Sequence, residues 1–200
     1  MKPLFLKYKK RSRSQILGLI ITSSLLAVLS PPSGAAESAG KNSSPWIKTD
    51  QTSVRLISAN SSIGNSQNIQ LGLQFKIRNG WKIYWRSPGD AGYPPSINWK
   101  KSENLKKTDF SWPLPNRFTV SGIQTIGYKK EVVFPINAKV RDVTQGLKLR
   151  GALSYLVCDE ICIPYKTNLA LNIPPGATAE FLSENHHLIN QYVGKVPGTG

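Results

Sequence analysis

Carboxylates, thiols and imidazoles are all scarce in this chain. Its 200 residues include 11 Asp and Glu, two Cys and two His. With so few acids, and with no G-x-S-x-G or H-E-x-x-H motif, the chain offers little for hydroxyl, carboxylate or zinc-hydroxide catalysis. The single Met is Met1, so no thioether accompanies the thiols. Past the N-terminus, no apolar run approaches the roughly 20 residues a spanning helix needs. What abounds is positive charge, 26 Lys and Arg for a formal net charge of +15.

Part of that charge belongs to an address. Lys2, Lys7, Lys9, Lys10, Arg11 and Arg13 form a basic start without an acid. An apolar run over 16–29 follows, then Ser33-Gly34-Ala35-Ala36. This three-part layout is that of a secretory signal peptide over 1–36, cleaved at the small residues rather than kept as an anchor. The six n-region charges removed, +9 remains. Export argues against nucleic acid as the partner of that charge, and an acidic protein or a membrane surface suits it better. Residues 37–44 are small and polar and are expected to be a disordered linker. Residues 45–176 suit one domain. The ending Val196-Pro197-Gly198-Thr199-Gly200 has a linker's composition and implies a longer parent protein.

A period of two runs through the domain. Ile69, Leu71, Leu73, Phe75 and Ile77 alternate with polar residues or glycine, as in a strand with one buried face. Asn79-Gly80 is a strong hairpin signal, and Trp81, Ile83 and Trp85 continue the alternation on a return strand. Further runs use 132–140, 147–157 and 169–173, with weaker strands at 54–58, 96–99, 108–112 and 118–120. Pro135 lacks a backbone donor, so its strand is expected at a sheet edge or beside a bulge. Residues 178–193 read as a helix, with Phe181, Leu188 and Tyr192 along one face. Many short strands separated by turns predict an all-β, immunoglobulin-like antiparallel sandwich with a short C-terminal helix. The lack of βαβ alternation argues against a thioredoxin fold. Trp81, Trp85, Trp99 and Trp112 suit its core better than a ligand platform.

The chemistry centres on Cys158-Asp159-Glu160-Ile161-Cys162. In an exported protein, two cysteines commonly make a structural disulfide. A cross-link over so short a loop, however, removes little chain entropy, on the order of 2 kcal/mol. Tight loops also favour reducible bonds. A redox-active pair is therefore the leading reading, and an inert staple stays open. Asp159 and Glu160 disfavour a thiolate, and no helix start lowers a thiol pKa here. Such a pair suits a relay whose disulfide is attacked by a partner's thiolate. The third reading is a Cu(I) site on the two sulfurs, aided by His186 and His187. Two cysteines without a third firm ligand make a thin metal signature, and no other metal or cofactor is indicated.

Several longer motifs carry a resemblance. They are residues 80–94, Gly-Trp-Lys-Ile-Tyr-Trp-Arg-Ser-Pro-Gly-Asp-Ala-Gly-Tyr-Pro, then Trp112-Pro113, Gly127-Tyr128, the Pro135 strand, and residues 155–164, Tyr-Leu-Val-Cys-Asp-Glu-Ile-Cys-Ile-Pro. With these motifs, residues 46–175 resemble the N-terminal periplasmic domain of the DsbD/ScsB-type protein-disulfide reductases. The resemblance implies an immunoglobulin-like fold with a reversible dithiol at Cys158 and Cys162. It implies thioredoxin-like periplasmic domains and client oxidoreductases as partners, of the disulfide-isomerase or cytochrome c maturation type. A membrane-embedded electron-transfer domain would belong to the same parent, and copper tolerance goes with the ScsB branch. Phe118 falls near the family's cap-loop phenylalanine, and Tyr84 near an active-site aromatic. Asp90, Tyr128 and Pro164 lie in the matching motifs and complete the expected surround. The three-residue spacing of the cysteines fits the ScsB-like branch better than DsbD, and Asn116-Arg117 replaces acids that DsbD carries before its phenylalanine. By analogy, Cys162 is the sulfur expected to form the mixed disulfide.

Overall fold

Alternating apolar residues and turn-forming pairs build eleven described strands in the computed structural model, which describes residues 42–198 except Ser121 and Ala179. The signal-peptide reading and residues 37–41 lie outside the described residues. The strands are β1 (Ile47–Lys48), β2 (Thr52–Ser58), β3 (Asn68–Ile77), β4 (Lys82–Gly89), β5 (Ser96–Asn98), β6 (Leu105–Phe110), β7 (Asn116–Val120), β8 (Ile123–Tyr128), β9 (Glu131–Val140), β10 (Leu147–Cys158) and β11 (Cys162–Ile173), followed by helix α1 (Ser183–Val193). They form two sheets of antiparallel pairs. One runs β1-β2-β3-β9-β6; the other runs β11-β10-β4-β8-β7, with β5 also paired to β10. This is the expected immunoglobulin-like sandwich.

The core lies between the sheets. Val54, Leu56, Leu71, Leu73, Phe75, Val132, Phe134 and Ile136 of the first sheet are buried with Ile83, Tyr128, Leu153, Tyr155, Val157 and Leu169 of the second. Aromatic edges interlock, with Phe75 5.1 Å from Tyr155 and Tyr128 5.0 Å from Phe134 between ring centres. Trp81, Trp85, Trp99 and Trp112 pack against this core as half-buried side chains.

Four local expectations need correction. Asn79-Gly80 does not close a hairpin, because β3 and β4 belong to different sheets. Only Gly80 takes a positive φ, 89°, and the Trp81 N–H donates to the Arg78 carbonyl, so a single four-residue turn carries the chain across the sandwich. Pro135 lies in β9, between β3 and β6 and away from the sheet's edge. Its carbonyl accepts from Ser111 N–H just beyond the end of β6, so its missing donor faces the place where the neighbouring strand has stopped. The irregularity in the β6–β9 ladder falls at Leu105/Lys107, distant from the proline. Residues 42–44 are ordered: Ser43 bridges to Ile57, and the Asn42 amide donates to the Asn60 and Ser61 carbonyls.

The fourth correction concerns the helix. It begins at Ser183, and Phe181 precedes it, 61 % exposed and bridged to Asn60. The face that α1 buries carries Asn185 and Ile189, with Leu188 and Tyr192 half-buried beside them. Ile189 packs on Ile57 and Val133 on the outer side of the first sheet. Gly72 makes the close approach possible: a Cβ there would stand 2.7 Å from Val133 and 3.0 Å from Ile189. The Asn185 amide pins the helix by donating to the Ser58 carbonyl.

Candidate functional site

Cys158 and Cys162 form a disulfide. They occupy the last rung of the β10–β11 hairpin, whose two 12-residue strands pair from Leu147↔Ile173 to Cys158↔Cys162. Asp159, Glu160 and Ile161 make the turn, closed by Asp159 N–H to the Ile161 carbonyl. Period-two alternation decides which way the sulfurs face. Leu153, Tyr155 and Val157 point into the sandwich core, so Cys158 and Leu156 point outward. The bond therefore lies on the outer face of the second sheet and does not staple the two sheets together.

The same rule governs β4. Ile83 faces the core, and Lys82 and Tyr84 face the sulfurs. Tyr84, Leu156 and Cys158 make a small buried cluster of their own. The Tyr84 hydroxyl lies 3.9 Å from Cys162 Sγ. Burial pushes the Tyr84 phenol above its ordinary pKa, which keeps it neutral and a hydrogen-bond donor. The loop after β4 covers the ring. Gly92, at φ 98°, lies so close that a Cβ would stand 2.4 Å from Tyr84, and the Tyr93 hydroxyl donates to the Tyr155 carbonyl. Asp90 anchors this loop at its base, its carboxylate accepting from Gln124 N–H and its own N–H donating to the Gln124 carbonyl.

The two sulfurs are unequal. Cys158 is 1 % exposed, whereas Cys162 is exposed. Ile161, 64 % exposed, and Pro164, also exposed, flank Cys162 with apolar surface. An incoming thiolate can reach Cys162 and is screened from Cys158.

The remaining expected residues divide. Phe118 on β7 is partnered with Thr125, two residues from Gly127, which itself pairs with Tyr84, so Phe118 shares the disulfide's face. Its ring meets the site through Lys82, whose Nζ lies 5.7 Å from the ring centre. Asp90 holds the covering loop rather than the sulfurs. Tyr128 turns away: it is buried in the core, donates to the Pro113 carbonyl at 2.8 Å, and has its phenol pKa raised strongly by burial. His186 and His187 sit on α1, against the first sheet, across the sandwich from the disulfide, so they cannot join the sulfurs around a copper ion. Among the described residues no group of three or more His, Cys, Asp or Glu converges as metal ligands.

Two residues escaped the sequence reading. Leu156 floors the site, and Lys82 is the cross-strand partner of Cys158 and only 6 % exposed. The signal for Lys82 was present, since placing Trp81, Ile83 and Trp85 on one face puts Lys82 and Tyr84 on the other.

Residues 53–174 match the family model for "Thiol:disulfide interchange protein DsbD, N-terminal". The chain belongs to the DsbD N-terminal domain family. Among solved structures, the N-terminal periplasmic domain of ScsB from Proteus mirabilis is 34 % identical, with a TM-score of 0.62 over 80 % of this chain and 61 % of that one. The chain thus spans about three fifths of that structure's length. The Neisseria meningitidis DsbD N-terminal domain in its reduced form aligns at 15 % identity and a TM-score of 0.37, over 64 % of this chain and 88 % of that one. No curated protein matches the chain. Membership in the DsbD N-terminal family associates the disulfide with thiol–disulfide exchange in its general form.

Proposed function

We propose that this domain is a periplasmic thiol–disulfide relay. It takes reducing equivalents from a thioredoxin-like domain and passes them to client oxidoreductases of the disulfide-isomerase or cytochrome c maturation type. The donor would belong with a membrane-embedded electron-transfer domain of the parent protein. The observation that carries the reading is the asymmetry of the pair, one sulfur open and one covered, on a sheet face away from the core.

A partner thiolate attacks Cys162 Sγ in line with the S–S bond. A new bond joins the partner to Cys162, the old bond breaks, and its electron pair leaves on Cys158 as a thiolate. The partner's second thiolate then attacks the partner sulfur of the mixed disulfide. Cys162 leaves as a thiolate, both cysteines take up protons as pH dictates, and the partner departs as a disulfide. Delivery to a client is the same sequence in reverse.

Two measurements test this. The reduction potential of the pair, found by thiol labelling in defined redox buffers, should fall within about −270 to −180 mV, the range of exchanging partners. A value below about −300 mV would mark an inert staple and end the relay reading. Second, against a thioredoxin-like partner that keeps only its attacking cysteine, activated as an aryl disulfide, Cys158→Ala should take up the partner sulfur on Cys162 with release of the aryl thiol, and Cys162→Ala should react far less. Equal or reversed trapping would remove Cys162 from its role.

A further inference from the structure

A buried lysine stands opposite the covered cysteine. Lys82 and Cys158 are direct partners in the β4–β10 ladder. Opposed residues of an antiparallel pair hold their Cβ atoms roughly 5 Å apart. Both are withdrawn from water, Lys82 at 6 % and Cys158 at 1 % exposure. The Phe118 ring lies 5.7 Å from the lysine ammonium. Carrying a charge here is costly: burial lowers the Lys82 pKa, and the Asp159 carboxylate opposes that only in part. In the oxidised protein neither sulfur carries a charge that would answer this ammonium.

Reduction changes that. When the 158–162 bond opens, an anion forms on the covered sulfur, and the cross-strand partner of its residue is Lys82. We infer that Lys82 is the counter-charge of the leaving Cys158 thiolate, making the covered sulfur the better leaving group and favouring the reduced pair. The inference rests on the relay reading, since it concerns the sulfur released when Cys162 is attacked. The other ionisable groups around the pair are Asp159 and Glu160 of the turn, Tyr84 of β4 and Tyr93 of the covering loop. The two carboxylates act against a thiolate and the Tyr84 hydroxyl lies at Cys162 Sγ, so among these groups Lys82 is the cation paired with Cys158. A lower leaving-group pKa speeds exchange, and stabilising the thiolate draws the equilibrium toward the dithiol.

The test isolates Cys158 as the sole thiol in a Cys162→Ala background and titrates it by thiolate ultraviolet absorbance. Adding Lys82→Met, which keeps the apolar stem, should cut the thiolate fraction near neutral pH about tenfold, one pKa unit. Lys82→Arg should restore most of it. With both cysteines present, Lys82→Met should slow reduction by dithiothreitol in the same rank order. Identical titrations for the parent and Lys82→Met would overturn the inference. If Lys82→Met does not fold, Lys82→Gln decides it by the same criterion: a titration identical to the parent's overturns it. A shifted titration with a pair that never exchanges would sink the relay and leave Lys82 standing. A pair that exchanges over a flat titration does the opposite.

Discussion

The two outer faces of the sandwich are covered in different ways. The first sheet is closed by α1, whose Ile189 fills the space left by Gly72 between Ile57 and Val133 and whose Asn185 is tied to the Ser58 carbonyl. The second sheet has a thin cover, the loop around Gly92 and Tyr93 over Tyr84, with the disulfide at its margin. Helix packing on a sheet maximises apolar burial, and a single-layer loop leaves an edge from which one sulfur can emerge. Stability is concentrated on one face and chemistry on the other.

Ile189→Ala should break that division most visibly if it is wrong. It deletes a fully buried side chain from the helix face and should cost about 2–5 kcal/mol in denaturant unfolding. The exchange rate of the 158–162 pair should stay unchanged in the folded variant, and a large rate change would mean the faces are coupled. Gly92→Ala places a methyl group 2.4 Å from the Tyr84 ring at a positive φ, and should cost on the order of 1–3 kcal/mol. Because it lifts the cover, it should also speed labelling of Cys158 in the reduced protein, which is checked by quenched alkylation.

Lys82→Met sharpens the contrast through pH. Burial holds the folded lysine pKa below its ordinary value of 10.5, so between the two the unfolded chain binds more protons. The lysine thus weakens the fold below its folded pKa, and that penalty is relieved as pH rises through the folded pKa toward 10.5. Lys82→Met should therefore match or exceed the parent's stability at neutral pH, with its advantage shrinking as pH rises through that window. Urea midpoints across alkaline pH would show it; an advantage that grows with pH would reverse the sign argued here. The smallest effect belongs to Tyr84→Phe. It removes a contact of 3.9 Å to a weak sulfur acceptor, and about a twofold change in exchange rate with stability nearly intact is expected. Stopped-flow reduction would measure it.

Much of this was legible in the sequence because a sheet with one buried face writes itself at period two. The runs at 69–77 and 147–157 fell where β3 and β10 lie, and the thiol pair stood out for lack of any competing chemistry. Turn chemistry carried less. Asn79-Gly80 announced a turn with a positive φ, but nothing local tells which sheet the next strand joins. Pro135 announced a missing donor without saying that it faces the end of β6. Among the site residues, Tyr84 follows from the motif, whereas Tyr128 does not. Gly127 is the residue opposite Tyr84, and one step along a strand turns the next side chain to the other face. Proximity in a motif is proximity of backbone, and parity along the strand determines which side chains share a face.

The position of the bond on the last rung of the hairpin bears on its kinetics. Cys158 and Cys162 are register partners in a ladder that extends eleven rungs beyond them, so backbone pairing alone keeps their sulfurs side by side when the bond is open. Re-closure is then an intramolecular step with a high effective molarity, requiring almost no search by the chain. In the proposed relay a mixed disulfide on Cys162 would have its resolving thiol at hand on the facing strand, so that an unproductive encounter is cancelled before a second partner arrives. In the proposed relay the hairpin would act as a proofreading clock, setting how long a thiol stays attached before its neighbour ejects it.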